Sequence, residues 1–122
     1  PQKTDATNCV YMNEGIVVKS HAGQKYTSDA VSIAVFKDLC KKANVPVQFF
    51  ANRSDEAGGS TLGNIAMAQV SMNSVDIGLP QLAMHSTYET AGIKDTYYMI
   101  QVMTEFFNCH ISEINTNVLK VD

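Results

Sequence analysis

The sequence predicts an α/β fold, part of a helix-covered, largely parallel sheet in the order β-α-β-α-β-α. Three short runs rich in β-branched and apolar residues alternate with segments of helical period, and a last helical segment follows them. Alternation of this kind favours a sheet with helices packed on its faces. The unusual residues also gather in the loops that follow the three runs, residues 20–26, 52–59 and 79–85. Open α/β sheets place their ligands outside the carboxyl ends of strands, so these loops are the expected rim of a site.

Each element has its own justification. Residues 1–8 are polar and aperiodic and read as loop. Gly15-Ile16-Val17-Val18-Lys19 is the first strand. Thr27, Ser28 and Asp29 offer N-cap oxygens for a helix over residues 30–43, where Val31, Val35, Leu39 and Ala43 recur every four residues. Asn44 and Pro46 stop it. Val47-Gln48-Phe49-Phe50 is the second strand. A polar, glycine-ending loop leads to a second helix, residues 62–71, with Leu62, Ile65, Ala66, Ala68 and Val70 apolar. Val75-Asp76-Ile77-Gly78 is the third strand, and residues 84–90 are a candidate short helix. Asp95 and Thr96 are read as the cap of a final helix to residue 108, with Met99, Val102, Met103, Phe106 and Phe107 as its apolar face. The alternation near Val118 and Val121 suggests a tail strand.

The 122 residues suit one modest core. Hydrophobic residues are 45% and charged residues 17%, too apolar for disorder. The net charge of −3 and the lack of a basic patch argue against nucleic acid as a partner. No apolar run reaches the length of a membrane span, so no membrane role is expected. Cys9, Cys40 and Cys109 are odd in number and far apart, which favours free thiols and a cytoplasmic location over a disulfide framework.

Taken on their own, the candidate residues leave alternatives open. His85 is either a ligand or base, or a partly buried structural histidine. Gly58-Gly59-Ser60-Thr61 just before a helix can present backbone N–H groups to an anion such as a substrate carboxylate, or can be a tight turn with a hydroxyl cap. Lys25 and Tyr26 can bind an anionic group or polarise a carbonyl, or can be a surface lysine and a packed tyrosine. Asp76 inside a strand is expected to pack or to hydrogen-bond, and His21 is ambiguous.

Longer motifs add to this. Asn52-Arg53-Ser54-Asp55, then Gly58-Gly59-Ser60-Thr61-Leu62-Gly63-Asn64-Ile65, then Val75-Asp76-Ile77-Gly78-Leu79-Pro80-Gln81-Leu82-Ala83-Met84-His85-Ser86 resemble the aspartyl aminopeptidase family of dinuclear zinc metallopeptidases. Gln24-Lys25-Tyr26-Thr27-Ser28-Asp29 is similar to a loop of its bacterial members, and the resemblance runs from about residue 11 to 107. It implies a metallo-aminopeptidase acting on peptides through water activated by two divalent ions, zinc by expectation. It implies that His85 is the last metal ligand, and that Lys25, Tyr26, Gly58, Gly59, Ser60 and Thr61 lie along the substrate cleft. The family's other ligands and its general base fall before residue 1, so no catalytic residue is expected within this chain. Residues 1–122 are then a single C-terminal portion of a catalytic domain, without the dimerisation domain, inactive alone and a homo-oligomer when complete. Gly23 stands where acidic-specific eukaryotic members carry a lysine, with Lys25 two residues on. The alternative is a non-catalytic truncated module with a structural or assembly role. A third reading is an anion-binding domain built on the Gly58-Gly59 turn.

Overall fold

The computed structural model describes residues 7–53, 55, 57–116 and 118–122. Residues 1–6, which the sequence reads as loop, lie outside them, as do Ser54 and Glu56 of the polar loop. Strand β1 is Ile16–Ser20, helix α1 Ala30–Lys42, strand β2 Val47–Ala51 and helix α2 Leu62–Gln69. Strands β3 (Ile77–Gly78), β4 (Gln81–Leu82) and β5 (Thr90–Ala91) precede helix α3 (Ile93–Asn108), and β6 (Ile111–Asn115) and β7 (Val118–Val121) close the chain.

The central sheet has the order β2-β1-β3. β1 and β2 are parallel, with Ile16 beside Val47 and Ser20 beside Ala51. β3 runs antiparallel to β1, with Val17 beside Gly78 and Val18 beside Ile77. The expected parallel pairing therefore holds for two strands and reverses at the third, which is also shorter than expected because only residues 77 and 78 pair.

β1 is buried on both faces, which is why it reads as an unbroken apolar run. Ile16 and Val18 join Phe36, Leu39 and Cys40 of α1, Val45 and Val102 of α3 in the core. Gly15 starts the strand with φ +115°, and a Cβ there would sit 2.2 Å from the Pro46 carbonyl oxygen. Only glycine lets the two parallel strands begin so close together.

α1 matches its sequence signals at both ends. Asp29 Oδ1 accepts from Ser32 N at 2.7 Å and Ser32 Oγ accepts from Asp29 N at 3.0 Å, a complete capping box. Asn44 turns the chain left-handed at φ +54°. Asn44 N donates to Lys41 O and Val45 N to Cys40 O, the paired bonds of a Schellman stop. The buried stripe centres on Ser32, Phe36, Leu39 and Cys40, one step round from the predicted one. On the outer side Lys37 Nζ lies 5.5 Å from the centre of the Phe49 ring.

Three expectations change. Residues 84–90 do not form a helix; β4 and β5 pair antiparallel and a turn joins them. The tail forms the β6-β7 hairpin rather than one strand, and Lys42 Nζ ties it to α1 through Val121 O at 2.6 Å. α3 starts at Ile93, so Asp95 lies in its first turn rather than at its cap.

The start of α3 has no side chain of its own to cap it, because its N-cap is Gly92. Asn13 supplies the cap from the far end of the chain: its Oδ1 accepts from Lys94 N at 3.1 Å. Asp95 answers by accepting Asn13 N at 2.6 Å and Gly15 N at 3.0 Å. This is capping-box logic divided between segments about 80 residues apart. Asp95 is fully buried. Gly92 is needed there, since a Cβ would meet Asn13 Oδ1 and Asp95 Oδ2 at 2.5 Å.

Helix α2 has no buried residue. Leu62, Ile65, Met67 and Val70 are all exposed, as are Tyr97, Ile100 and Phe107 of α3. Among the described residues no helix is long and apolar enough to cross a membrane.

Candidate active-site region

Because β1 and β2 are parallel, the loops that follow them leave the same end of the sheet. They meet there through specific bonds. Lys25 Nζ donates to the Ala57 carbonyl at 2.5 Å and the Gly58 carbonyl at 3.1 Å. The ammonium is thus engaged by backbone oxygens of the glycine loop. Tyr26 OH donates to Asn52 Oδ1 at 3.4 Å. Asn64, in the first turn of α2, donates to Lys25 O at 2.9 Å and to Ser60 Oγ at 3.2 Å.

Gly58 adopts φ +51°, and a Cβ there would come within 2.1 Å of Asn52 Nδ2 and 3.2 Å of His21 Nε2. Left-handed geometry and close approach both select glycine. Gly59 and Ser60 are exposed. Thr61 is the N-cap of α2, yet its hydroxyl makes no bond to the helix. It donates instead to Asp76 Oδ2 at 3.0 Å.

A cleft of about 430 Å³ opens between the two loops, bordered by His21, Lys25, Asn52, Arg53, Asp55 and Ala57. Arg53 binds Asp55 through Nε to Oδ1 at 2.9 Å and through a second guanidinium nitrogen to Oδ2 at 2.5 Å. That hydrogen bond from Arg53 holds the Asp55 carboxyl below its ordinary pKa. His21 Nδ1 accepts from Gly23 N at 2.9 Å, so in the neutral ring Nε2 carries the proton. Nε2 is enclosed and has no partner among the described residues. Tyr26 packs edge-on to His21 at 5.8 Å, with Lys19 Nζ 5.8 Å from its ring centre. Burial raises the Tyr26 phenol above its usual pKa, and the Asp76 carboxylate adds to the effect. A second cavity of about 420 Å³, lined by Val35, Phe36, Leu39 and Phe106 among others, is mainly apolar and borders none of these loops.

His85 is placed differently. β3 is antiparallel to β1, so its carboxyl end lies at the amino end of the β1-β2 pair. The loop carrying His85 therefore departs from the opposite end of the ladder to the Lys25 and Gly58 loops. His85 is exposed and lies between β4 and β5 at φ +68°, and Ala83 two residues earlier has φ +54°. Its N–H donates to the Glu89 carboxylate, which fixes the turn from within. Among the described residues no group of three or more His, Cys, Asp or Glu side chains could hold a metal. One imidazole does not make a zinc site, which takes four ligands or three and a water.

Of the six residues expected along a substrate cleft, Lys25 borders this cavity and Tyr26, Gly58, Gly59, Ser60 and Thr61 lie in the adjoining loops; Asn52 and Asn64 were not singled out from the sequence, and His21 was left ambiguous. Asn52 and Asn64 lay inside the motifs that carried the resemblance, which was the available signal.

Comparison with known proteins agrees with that resemblance. Residues 1–107 match the model of the family described as "Aminopeptidase I zinc metalloprotease (M18)". The chain is 53% identical over 107 residues to "Probable M18 family aminopeptidase 2" of Clostridium novyi, covering 88% of this chain and 25% of that protein. It superposes with TM-score 0.84 and 36% identity on a chain of the Ape4 and Nbr1 complex, covering 87% of this chain and 20% of that one. A chain of the Saccharomyces mApe1 dodecamer shares the fold at TM-score 0.74 and 24% identity, over 88% of this chain and 23% of its own. The chain spans about a quarter of the length of the relatives it matches. It belongs to the M18 family of aminopeptidase I zinc metalloproteases.

Proposed function

We propose that these residues form the C-terminal portion of the catalytic domain of a zinc-dependent aminopeptidase that removes N-terminal residues from peptides. The observation that carries the reading is the family match across residues 1–107. His85 is its metal ligand, contributing one imidazole to a site of two ions whose other donors come from outside the described residues. The chemistry bound zinc supplies is Lewis-acid activation of water and of the scissile carbonyl. What these residues do is hold the substrate. Lys25 borders the cleft, Tyr26, Gly58, Gly59, Ser60 and Thr61 stand in the loops beside it, and the exposed Gly59-Ser60 backbone would offer donors to a peptide. Lys25 acts by fastening the glycine loop through two carbonyls. We place the complete protein in the cytoplasm, where its free cysteines would stay reduced, and expect a homo-oligomer, by likeness to the mApe1 dodecamer.

The test is hydrolysis of aminoacyl-nitroanilides by the complete polypeptide. His85→Ala is expected to abolish activity and to lower bound zinc. Full activity with zinc retained would sink the assignment. A second reading, a non-catalytic assembly module, is favoured by the exposed apolar residues of α2 and α3. It is distinguished by a complete polypeptide that assembles but neither binds zinc nor cleaves peptides.

A further inference from the structure

We propose that Asp76 is the positioning residue of the substrate cleft, pinning its two loops to each other from beneath. The inference rests on the reading of that cleft given above. Asp76 lies just before β3, at the end of the sheet where the β1 and β2 loops emerge. Its Oδ2 accepts three donors: Thr27 N at 2.7 Å, Thr27 Oγ1 at 3.1 Å and Thr61 Oγ1 at 3.0 Å. Its own N–H donates to Ser28 Oγ at 2.8 Å, and its carbonyl accepts Lys19 N at 2.9 Å. One residue thereby joins the end of β1, the loop before α1 and the loop before α2.

The neighbours show what this connection determines. Thr27 directly follows Lys25 and Tyr26, and Thr61 directly follows Gly58, Gly59 and Ser60. Both halves of the cleft therefore hang from one carboxylate oxygen. Thr61 gives up the ordinary work of a helix cap to make this bond. Gly63 lets the elements close up, since a Cβ there would come 2.8 Å from Thr27 Cγ2 and 3.3 Å from Asp76 Oδ2. The carboxylate also sits at the positive end of α2, where its charge is favourable. A half-buried carboxylate needs several donors to offset its lost hydration. The donors that offset it here all come from the cleft loops.

The experiment uses Asp76→Asn, Thr27→Val and Thr27→Ser. In the complete polypeptide, Asp76→Asn turns an acceptor toward an N–H into a mixed amide and is expected to raise KM about tenfold, as for loss of one charge-assisted bond. kcat should stay within about twofold, because the reacting groups are untouched. Thr27→Val should raise KM by a smaller factor and Thr27→Ser should restore it, since serine keeps the hydroxyl. Amide hydrogen exchange on the complete polypeptide should show faster exchange across both residues 25–28 and 58–64 in Asp76→Asn and Thr27→Val. Equal KM in Thr27→Val and wild type, or exchange changed in neither loop, overturns the proposal. So does a loss confined to kcat. If the wild-type polypeptide hydrolyses nothing, the proposed function falls, and the exchange measurement alone decides whether Asp76 joins the loops.

Discussion

Replacing Asp95 by alanine strikes the connection between the two ends of the chain. The carboxylate is fully buried and accepts two backbone N–H groups, from Asn13 at 2.6 Å and Gly15 at 3.0 Å. Alanine leaves both donors without this partner, Gly15 N in the buried interior and Asn13 N where burial is only partial. A stranded buried donor costs about 1–3 kcal/mol and the part-buried one less, so the pair costs roughly 2–4 kcal/mol. Part is returned because a carboxylate no longer has to be desolvated. We expect a net loss of about 3 kcal/mol, a large share of the stability of a domain this size. Asp95→Asn keeps one acceptor but turns an amide NH₂ toward an N–H, and should lose somewhat less. The assay is urea unfolding followed by circular dichroism, read at unchanged m-value so that the comparison concerns stability alone. Asn13→Ala removes the cap of α3 at Lys94 N and should cost about 1 kcal/mol. Since Asp95 holds the backbone of Asn13, whose side chain caps the adjacent Lys94 N, the double substitution should cost less than the sum of the two. A loss below about 0.5 kcal/mol for Asp95→Ala, the level of an ordinary surface change, or strict additivity of the pair, would refute the reasoning.

Further expectations concern other parts of the molecule. Ala83 holds φ +54° in the His85 turn, so Ala83→Gly should raise the unfolding midpoint in urea, by relief of strain of about 1 kcal/mol. Burial pushes the Cys40 thiol up to about 12. At pH 8 a thiol reagent should therefore modify exposed Cys9 at once and Cys40 only on unfolding. Because the folded pKa of Cys40 is the raised one, its contribution to stability is intact below pH 9 and should be lost as pH climbs toward 12, which alkaline titration of unfolding reads. Arg53→Ala should return the Asp55 carboxyl toward its ordinary value in an NMR titration. The depressed value means the pair contributes only above the carboxylate range and loses that contribution as pH falls through it. High salt should weaken it, since both groups are exposed.

What could be read from the residues was whatever is decided locally. The limits of α1 were legible because Asp29, Asn44 and Pro46 act within a few residues of themselves. β1 and β2 were legible as apolar runs, and their parallel pairing brought the Lys25 and Gly58 loops together as expected. The direction of β3 was not legible, because two paired residues carry no sign of direction, and with it failed the expectation that the His85 loop shares their end. The helix expected over residues 84–90 gave way to a turn between β4 and β5, held by the bond from His85 N to Glu89. The start of α3 was misplaced because its cap comes from Asn13, some 80 residues away. In the site, residue types and motifs identified the loops, but the engagement of Lys25 with two carbonyls and of Thr61 with Asp76 are long-range pairings with no local pattern.

The order β2-β1-β3 leaves β2 as an outer strand, and its sequence Val-Gln-Phe-Phe-Ala is one that stacks readily on copies of itself. Phe49 is 45% exposed on it. The ammonium of Lys37 over that ring therefore protects the molecule against its own neighbours in solution: an incoming strand would have to strip water from a fixed positive charge before it could pair. Gln48 adds to this by spending its amide on Tyr11, with both bonds at 2.8 Å, so that it offers no ladder of stacked amides to a second chain. Replacing Lys37 or Gln48, two side chains that contribute little to the core, should therefore increase self-association at high concentration.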